Sequence, residues 1–504
     1  MSEHKHAKKP PALAGFDRRY RFNGGLRLDA HREISTARPI RFAGIPEFLV
    51  LPLHQHIGEP ADCRVRIGER VLRGDVIAEP VGSVSAPVHA STSGTVVAIE
   101  KRPVPHPSGL PAECIVIETD GADETGAPMV PIDYCNTDPA ELCDLIRHAG
   151  IVGLGGAGFP TQVKLATKRH IELLLINGAE CEPWISCDDR LMFERAAEVI
   201  EGILVLRHIL QPDNCVLAIE DNMPEVATAL RNALAAAGNH NIQLAEVEAI
   251  YPTGGERQLI KVLTNREVPS QGLPADIGII CQNVGTAAAV YHAVHERRPL
   301  LSRIITVTGD GVQQPCNLEA LIGTPVSDLI AAAGGYTKDI ERLLIGGPMM
   351  GYAVNTDAVP AIKTTNCVLA VTHASMPAPP PAQPCIRCGK CTEVCPADLL
   401  PAQLYWYARS GNHDSAQDYG LFDCIECGCC AQVCPSHIPL VQYYRHAKTV
   451  IWAQEKQTMA ADIARQRHTA RLARLERIKQ ERAERLAKRK QAVSGKSEGD
   501  DHRK

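Results

Sequence analysis

The spacing of apolar and polar residues divides the chain into stretches with different predicted secondary structure. Between residues 40 and 102, short apolar runs alternate with glycine and proline turns, as in FLVLPL and GTVVAIE. Such runs predict short strands, and their succession predicts a small β-sandwich or barrel. We therefore expect a β-rich domain over residues 31–130.

A helical pattern follows this region. DPAELCDLIRHA, Asp138 to Ala149, has aspartate at the capping position, proline in the first turn and apolar residues on one side, which predicts a helix. Strand-like runs such as HIELLLIN and NCVLAIE then alternate with helical runs such as AAEVIEGILVLRHIL. This alternation is typical of α/β crossover units, and it predicts an α/β domain over residues 131–300.

The remaining pattern predicts four further parts. RIITVTGDG, NLEALIGTPVSDLIAAAGG and RLLIGGPMMG predict a compact module of strands and helix over residues 301–370. The proline-rich residues 371–384 predict an extended linker, which leads into a cysteine module at residues 385–446. Residues 447–504 are mostly polar with a thin apolar stripe, which predicts a long exposed helix.

Composition indicates a multidomain protein in a reducing compartment. The length of 504 residues suggests roughly three to five domains. Residues 1–30 are polar and proline-rich, which predicts a flexible N-terminus without the apolar core of a secretory signal. No uninterrupted apolar run reaches about 18 residues, so we expect no membrane span. In the cytoplasm, the 19 cysteines are expected to be metal ligands or free thiols rather than disulfides.

Charge is unevenly distributed along the chain. The formal net charge of −5 gives no general indication of a nucleic-acid partner. From Glu455 to Lys504, fifteen Lys or Arg stand against eight Asp or Glu, so this tail carries +7 and the rest carries −12. A basic tail on an acidic body indicates a partner such as anionic lipid or an acidic protein. A solvated charged helix explains the same composition.

The cysteine module contains one twelve-residue pattern twice. CIRCGKCTEVCP begins at Cys385 and CIECGCCAQVCP begins at Cys424. Both copies have the C-x2-C-x2-C-x3-C-P spacing of two-cluster ferredoxins, in which the fourth cysteine ligates the other cluster. The expected ligands are Cys385, Cys388, Cys391 and Cys434 for the first [4Fe–4S] cluster and Cys424, Cys427, Cys430 and Cys395 for the second. Two zinc sites or redox-active thiols are the alternatives, although zinc sites commonly use cysteine pairs separated by a long gap. Cys429 is expected to have no ligand role.

A glycine-rich loop, GLGGAGFPTQVK, extends from Gly153 to Lys164 and contains the pattern G-x-G-x-x-G. A Rossmann site requires a strand before this pattern and a helix after it, whereas here a predicted helix precedes it. The backbone N–H groups of the loop are nevertheless unobstructed by side chains, and Lys164 adds positive charge, so the loop could bind a phosphate. A glycine-rich turn without a ligand is the alternative.

Three other segments accompany this loop: INGAECEPWISCDDR from Ile176, YPTGGERQ from Tyr251 and CQNVGTAAA from Cys281. Together with the loop they resemble the flavin-and-NADH subunit of respiratory complex I. With the doubled cysteine pattern they resemble still more closely the C subunit of the Rnf electron-transport complex. The resemblance covers most of the chain and implies a multidomain α/β and α+β fold. Its expected parts are an N-terminal β-rich barrel-sandwich domain, an α/β flavin-binding domain, a β-grasp-like (SLBB) module, a helical two-cluster ferredoxin domain and a C-terminal helix.

Carried over by position, the resemblance implies a pocket for FMN and NADH. The residues implied at the phosphates are Gly153, Gly155, Gly156, Gly158 and Lys164. The residues implied around the flavin and nicotinamide are Asn177, Glu180, Glu182, Gly254, Gly255, Glu256, Asn283 and Thr286. The chain departs from the complex I pattern at Leu154, where that loop has arginine, at Gln162, which replaces a glycine, and at Cys181 in the acidic segment. The missing arginine removes one charge from the phosphate side.

The resemblance implies a peripheral, NADH-oxidising subunit that passes electrons through FMN to two [4Fe–4S] clusters. The complex would couple electron transfer between NADH and ferredoxin, or flavodoxin, to ion translocation. The subunit would dock on membrane subunits at the cytoplasmic side of the inner membrane. One alternative, which Leu154 keeps open, is a cluster-carrying wiring subunit that does not oxidise NADH. Another is a protein resembling the A subunit of the sodium-pumping NADH:quinone complex, a family that lacks the doubled cluster motif.

One further segment resembles a cofactor-carrying hairpin. APVHASTSGTV, Ala86 to Val96, is similar to the hairpin of biotinyl and lipoyl domains, but its tip has no lysine to attach either cofactor. We therefore expect a structural role for this hairpin.

Overall fold

The structure of the protein is a computed structural model. It describes residues 19–126, 130–238, 241–337 and 340–497, with side chains described as far as residue 490. Its β-rich, α/β, mixed and helical parts follow one another along the chain as the sequence predicts.

The described chain forms two compact units. The first unit comprises the described residues up to Ala402 together with Phe422–Val441, and the second comprises Gln403–Leu421 together with the residues from Gln442 onward. All the sheets and both cysteine motifs lie in the first unit. The predicted flavin and cluster sites therefore belong to one compact body.

The N-terminal domain is built from two antiparallel sheets. Its elements are α1 (Glu33–Thr36), β1 (Arg41–Phe42), β2 (Phe48–Pro52), β3 (Asp62–Cys63), β4 (Arg70–Val71), β5 (Val76–Glu79), β6 (Val88–His89), β7 (Gly94–Arg102) and β8 (Ala112–Thr119). The sheet orders are β2-β8-β7-β4 and β3-β5-β6. Apolar side chains of paired strands, such as Leu49, Leu51 and Ile117, are fully buried, so the strands enclose a core as predicted.

The hairpin that resembles those of biotinyl domains is buried at its tip. Ala90, Ser91, Thr92 and Ser93 have almost no exposed surface. The Ser91 hydroxyl donates a hydrogen bond to the carbonyl of Ile322 at 2.7 Å. A tip held in this way cannot swing a tethered cofactor between sites, in keeping with the expected structural role.

The α/β domain has a parallel sheet with helices packed against it. Its elements are α2 (Pro139–His148), α3 (Thr161–Leu165), β9 (Leu173–Gly178), α4 (Cys187–Glu194), α5 (Ala196–Leu210), β10 (Asn214–Glu220), α6 (Pro224–Ala236), β11 (Ile242–Val247), α7 (Glu256–Thr264), β12 (Ile279–Asn283) and α8 (Val284–His295), with 3-10 turns at Tyr134–Asn136 and Pro274–Ile277. The predicted cap of α2 is confirmed, because the Asp138 carboxylate accepts from the amide of Ala140 at 2.8 Å. Strands β9 and β10 are almost entirely buried, as expected for a parallel sheet covered on both faces.

The strand order β11-β10-β9-β12 contains a reversal between β9 and β12. Successive strands β9, β10 and β11 are added in one direction, and the chain then returns to place β12 on the other side of β9. In open α/β sheets, ligands bind outside the carboxyl ends of the strands at such a switch point. The sheet topology therefore directs attention to the ends of β9 and β12.

The next module is a mixed sheet with one helix. Its elements are β13 (Ser302–Thr308), β14 (Cys316–Leu321), α9 (Val326–Ala332), β15 (Ile340–Ile345), β16 (Tyr352–Val354) and β17 (Cys367–Thr372). The sheet order is β1-β14-β13-β17-β15-β16, so β1 from the start of the chain forms one edge. This agrees with the predicted β-plus-helix module.

The cysteine module and the tail are helical, as expected. Their helices are α10 (Lys390–Glu393), α11 (Pro401–Ser410), α12 (His413–Asp418), α13 (Cys429–Gln432) and α14 (Leu440–Ser497), with a 3-10 turn at Leu421–Asp423. The side chains of α14 are exposed from Trp452 to Lys490. Among the described helices, none has both the length and the hydropathy required to cross a lipid bilayer.

One expectation needs correction, because part of the predicted flexible N-terminus is docked on the protein. Residues 1–18 lie outside the described residues, but residues 19–30, here called the strap, form backbone hydrogen bonds. Tyr20 N–H donates to the carbonyl of Val262, and the carbonyl of Ala30 accepts from the amide of Trp184. Backbone groups carry these contacts, so the polar composition of the strap gives no indication of them.

Candidate functional site

The crevice at the β9–β12 switch point is the candidate functional site. Asn177 and Asn283 lie opposite each other at the carboxyl ends of these strands. Asn283 caps α8, because its carboxamide oxygen accepts from the amide of Gly285 at 2.8 Å. Its Nδ2 donates to the Asp188 carboxylate at 2.6 Å. The N-terminus of α8 therefore begins at the crevice, where its partial positive charge favours an anion.

The glycine loop is fastened to the start of α8. The amide of Leu154 donates to the buried Thr286 Oγ1 at 3.0 Å. A Cβ added to Gly155 would lie 3.3 Å from the Cβ of Asn283, so the loop backbone passes close to that side chain. Although α2 rather than a strand precedes the loop, these contacts bring it to the same crevice as the ends of β9 and β12.

The tip of the glycine loop presents unpaired backbone amides. Gly155, Gly156 and Ala157 are exposed, and their N–H groups make no hydrogen bond to any part of the chain that the structure describes. Gly156 has φ +101° and no atom within 4 Å of an added Cβ. Three neighbouring N–H groups without covering side chains suit the oxygens of a phosphate. The residues present therefore fit the phosphate of FMN or of a dinucleotide.

Two buried basic residues bind backbone carbonyls in and near this loop. Lys363 Nζ donates to the carbonyls of Pro87 and Gly150, both at 2.7 Å. Arg303 donates to the carbonyl of Leu154 at 3.1 Å and also to the carbonyl of Lys363. Burial lowers the pKa of Lys363 to about 7. Neither residue was among the predicted site residues, because no sequence motif indicates a basic residue that binds backbone carbonyls.

The acidic segment packs against the start of α7. Asn177 Nδ2 donates to the carbonyl of Gly254 at 2.8 Å, and the Gly254 amide donates to Cys181 Sγ at 3.3 Å. A Cβ added to Gly254 would lie 2.2 Å from the carbonyl oxygen of Ala179. Glycine is therefore required for this approach, which unites the NGAECE and TGGE segments on one wall of the crevice.

Glu180 lies at the start of α4. Its carboxylate oxygens accept from the amides of Asp188 and Asp189, each at 3.0 Å. Burial, together with the nearby Asp188 carboxylate, raises the pKa of Glu180 to about 8. Glu180, Cys187 and Asp188 have potential ligand atoms within 4.8 Å of one another. Both Glu180 oxygens already accept from backbone amides, so a helix cap at the start of α4 explains why these three side chains lie together.

Glu182 connects the acidic segment to the GGPMMG loop of the mixed sheet. Its Oε1 accepts from the amides of Met349 and Met350 at 2.7 and 3.0 Å. A Cβ added to Gly347 would lie 2.2 Å from Glu182 Cγ, which explains a glycine there. Burial raises the pKa of Glu182, while the two amide bonds oppose this shift. Its predicted contact with flavin or nicotinamide stays a prediction.

Lys164 and Glu256 pair at the edge of the crevice. Lys164 Nζ donates to Glu256 Oε1 at 2.7 Å and to the carbonyl of Cys281 at 3.0 Å. Both side chains are partly exposed, so a phosphate could compete for the ammonium group. Gly255 precedes α7, and an added Cβ there would lie 2.7 Å from Gln258 Oε1. The predicted flavin-site residues thus come from four segments that meet around one crevice.

The two cysteine motifs lie side by side. Helices α10 and α13, one from each motif, are in contact. Burial, followed by the neighbouring Cys424, Cys427 and Cys395 thiols, raises the pKa of Cys430. Cys395, the fourth cysteine of the first motif, therefore lies near Cys427 and Cys430 of the second motif, as the predicted exchange of ligands would require.

Two hydrogen bonds join the segments beside Cys385 and Cys434. The amide of Gln383 donates to the carbonyl of Ser436 at 2.8 Å, and the Ser436 hydroxyl donates to the carbonyl of Pro384 at 3.0 Å. These bonds hold the chain just before Cys385 against the chain just after Cys434. Each predicted cluster would take three cysteines from one motif and the fourth from the other. Eight thiols arranged in this way fit two cubane clusters.

The motifs differ in their exposure. Cys427 and Cys430 are buried, whereas Cys388 is exposed and Ile386 is 68% exposed. Cys429 is fully buried, and its hydrogen bond lowers the pKa of the Cys427 thiol. The first motif therefore faces solvent, while the second faces the protein interior.

Four segments of the chain match known protein families. Residues 20–122 match the RnfC barrel sandwich hybrid domain, and residues 146–292 match the Nuo51 FMN-binding domain. Residues 304–353 match the SLBB domain, and residues 384–438 match the 4Fe-4S dicluster domain. The expected succession of domains is thereby confirmed.

Relatives with high sequence identity share one description, the C subunit of the ion-translocating oxidoreductase complex. The relative from Pseudomonas aeruginosa is 52% identical over 92% of this chain and 60% of its own length. The relative from Edwardsiella ictaluri is 46% identical over 96% of this chain and 60% of its own length. A relative from Yersinia pestis is 45% identical over 92% of this chain and 74% of its own length.

The chain belongs to the family of C subunits of ion-translocating oxidoreductase complexes. Its FMN-binding and 4Fe-4S dicluster domains are the ones that the two family models match. It spans about 60% of the length of the first two relatives.

Two solved structures also resemble this family member. They are described as the NAD+-reducing [NiFe]-hydrogenase in the air-oxidized and in the H2-reduced state. The first has a TM-score of 0.43 at 20% identity and covers 58% of this chain and 54% of its own. The second has a TM-score of 0.45 at 18% identity and covers 62% of this chain and 61% of its own.

Sequence reasoning missed one contact between the flavin domain and the dicluster domain. Tyr251, just before the TGGE segment, donates its hydroxyl proton to the carbonyl of Cys427 at 2.7 Å. The segment YPTGGERQ was recognised, but its tyrosine was not singled out. A tyrosine in such a segment is most simply a core residue, and its partner lies 176 residues away.

Proposed function

We propose that this chain is the electron-input subunit of an Rnf-type membrane complex, in which it oxidises NADH. Electrons would pass through FMN to two [4Fe–4S] clusters and then to membrane subunits, with ferredoxin or flavodoxin as the other redox partner of the complex. The subunit would lie at the cytoplasmic side of the inner membrane. The complex would couple this electron transfer to ion translocation.

The residues around the crevice have separate roles in this proposal. The amides of Gly155, Gly156 and Ala157 would bind the FMN phosphate, and Lys164 would add charge beside them. Asn177 and Asn283, whose carboxamides are held by hydrogen bonds within the protein, would line the flavin and nicotinamide pocket. A flavin accepts a hydride as an electron pair and releases electrons singly, which is the conversion that one-electron clusters require.

One observation carries the proposal: the crevice and the buried cysteine motif are joined directly. Tyr251 belongs to the loop that leads into Gly254 and Gly255, and its hydroxyl reaches the carbonyl of Cys427 at 2.7 Å. A site suited to a flavin phosphate and a loop suited to a cluster therefore lie within one compact unit. A protein that only bound a nucleotide would have no need for its binding site to lie beside a cluster loop.

The difference in exposure gives the proposed direction of transfer. Electrons would enter the cluster of the buried second motif and leave from the cluster of the exposed first motif. Ile386 is 68% exposed beside Arg387 and Lys390, which suits a partner surface that has an apolar patch and acidic groups.

Changing Ile386 to Asp should slow electron transfer to the membrane subunits and leave reduction of both clusters by NADH unchanged. Leu110, which is 67% exposed, provides the matched control as Leu110→Asp.

Anaerobic titration of the reconstituted chain with NADH tests the proposal. Flavin absorbance and the electron paramagnetic resonance of the clusters would be recorded at each addition. Bleached flavin with reduced-cluster spectra is the expected result. Clusters that respond to dithionite but not to NADH, with no flavin bound, would refute it.

The exchanged ligation makes a specific prediction for two single variants. Cys395→Ala should remove the second cluster, and Cys434→Ala should remove the first, although each residue lies in the opposite motif. Each variant should contain about half of the wild-type iron. Cys395→Ala should keep the spectrum of the first cluster, and Cys434→Ala should keep the spectrum of the second. Loss of the same cluster in both variants would contradict the ligand assignment.

A wiring subunit that carries clusters but does not oxidise NADH is the second candidate. It is favoured by Leu154, which is buried and contributes no charge where the complex I loop has arginine. Lys164 is also partly neutralised by Glu256. The NADH titration separates the two candidates, because only the input subunit should reduce its clusters with NADH.

A further inference from the structure

Tyr251 lies at a junction of the crevice with the second cysteine motif. Its side chain is almost completely buried, and its ring packs with Cys427 and Cys429 in one apolar cluster. The hydroxyl donates to the carbonyl of Cys427 at 2.7 Å. This bond ends on the main chain of an expected cluster ligand.

The strap makes a second connection beside the first. Leu26 and Tyr251 exchange backbone hydrogen bonds of 2.8 and 2.9 Å, and the amide of Gly25 donates to the carbonyl of Val394 at 3.0 Å. A Cβ added to Gly24 would lie 2.7 Å from the carbonyl carbon of Val394 and 2.8 Å from that of Cys395. The strap therefore bridges the backbone of Tyr251 and the residue just before Cys395.

Both contacts, that of Tyr251 and that of the strap, reach expected ligands of the same cluster or their neighbours. Cys427 and Cys395 are proposed ligands of the second cluster, although they belong to different motifs. By contrast, the first motif is mostly solvent-exposed, including Cys388 and Ile386. The contacts made by Tyr251 and the strap therefore concern the second cluster and not the first.

We propose that Tyr251 and the Gly24–Leu26 part of the strap are positioning residues for the second cluster alone, and that they tune its reduction potential. This inference rests on the ligand assignment in the proposed function. Potentials of iron–sulfur clusters depend on hydrogen bonding and solvent exclusion around their ligands. The Tyr251 hydroxyl, which also lies against the Glu182 carboxylate, directs its proton toward the carbonyl of Cys427, and this positive dipole end stabilises the more negative, reduced cluster. Its loss should therefore lower the potential of that cluster.

The test is a potentiometric titration of the whole reconstituted chain, with dithionite and mediators instead of NADH. The Cys395→Ala and Cys434→Ala variants assign each resonance to one cluster. In Tyr251→Phe, the couple of the second cluster should move to lower potential, so that its reduced fraction at the wild-type midpoint falls about threefold. The couple of the first cluster should not move. Tyr352→Phe is the matched control, because Tyr352 also donates to a backbone carbonyl, that of Pro105.

The other outcomes are equally informative. If Tyr251→Phe moves neither couple, or moves both equally, the inference is wrong. If Tyr251→Phe assembles without its full iron content, loss of the second cluster alone supports the inference, whereas loss of both clusters overturns it. Gly24→Ala provides an independent perturbation and should affect the same cluster. A wild-type chain without two clusters would instead refute the ligand assignment and the proposed function, before any variant is compared.

Discussion

The hydrogen bond from the Leu154 amide to Thr286 offers a sharp test of how the glycine loop is held. Replacing Thr286 by valine removes the hydroxyl and preserves the shape of the side chain. Thr286 is fully buried and its Oγ1 accepts from the Leu154 amide at 3.0 Å. The variant therefore leaves a buried amide without its acceptor.

The expected cost follows from the burial of this amide. An unsatisfied buried donor costs about 1–3 kcal/mol. The loop can relax to rehydrate the amide in the free protein, and FMN binding must then restore the original conformation. If the full cost appears in binding, the affinity for FMN falls by about 5- to 150-fold. If the loop does not relax, the cost appears in stability instead.

Two measurements on the chain separate these cases. Fluorescence titration gives the FMN dissociation constant, and thermal unfolding followed by circular dichroism gives the stability. The matched control is Thr308→Val, because Thr308 is also fully buried and its hydroxyl has no hydrogen-bond partner in the described structure. This control should bind FMN with wild-type affinity and unfold at or above the wild-type temperature, because it removes a buried hydroxyl that has no partner.

The reasoning would be refuted by a Thr286→Val variant that equals the control in both measurements. A loss of about 1 kcal/mol should lower the unfolding temperature by roughly 2–4 °C in a domain of this size, which is easily detected. Equal behaviour would mean that the Leu154 amide is not held by Thr286 in solution.

Two further predictions concern the surroundings of the loop. Gly158→Ala should weaken FMN binding and lower stability, because Gly158 has φ +65° and an added Cβ would lie 2.5 Å from Thr364 Cγ2. Gly121→Ala, with φ +68° in open space, should show only the smaller cost of backbone strain, and equal costs would contradict the predicted clash. Burial lowers the pKa of Lys363 from 10.5 to about 7, so the unfolded chain binds more protons between these values and stability should rise with pH across this window. Unfolding temperatures at several pH values should show that Lys363→Met loses this rise, whereas the exposed control Lys101→Met keeps it.

Much of the fold was predictable because its elements have local causes. The capping aspartate and first-turn proline of α2 are adjacent in sequence, and both were identified correctly. The buried strands of the α/β domain were visible as short, nearly continuous apolar runs. The exposed part of α14 was visible from its dense charge. In each case, the physical cause lies within about a dozen residues.

The convergence of the site was predictable only through resemblance. Asn177 and Asn283 are distant in sequence, and nothing local indicates that their strands pair in parallel. The partners of Glu182 and Tyr251 were not predictable at all, because they are backbone groups of Met349, Met350 and Cys427. Main-chain donors and acceptors are the same in every residue other than proline, so they leave no pattern for sequence reasoning.

The strap has a consequence for how the protein is made. Asn23 hydrogen-bonds to Asp398, which lies 375 residues later in the chain. At a synthesis rate of about 5–20 residues per second, roughly 20–75 s separate the appearance of these two residues. The strap leaves the ribosome early and reaches its final position only after the first cysteine motif has been synthesised. Its closure is therefore a late step of assembly, and a premature partner for these residues would interfere with maturation of the distant iron–sulfur module.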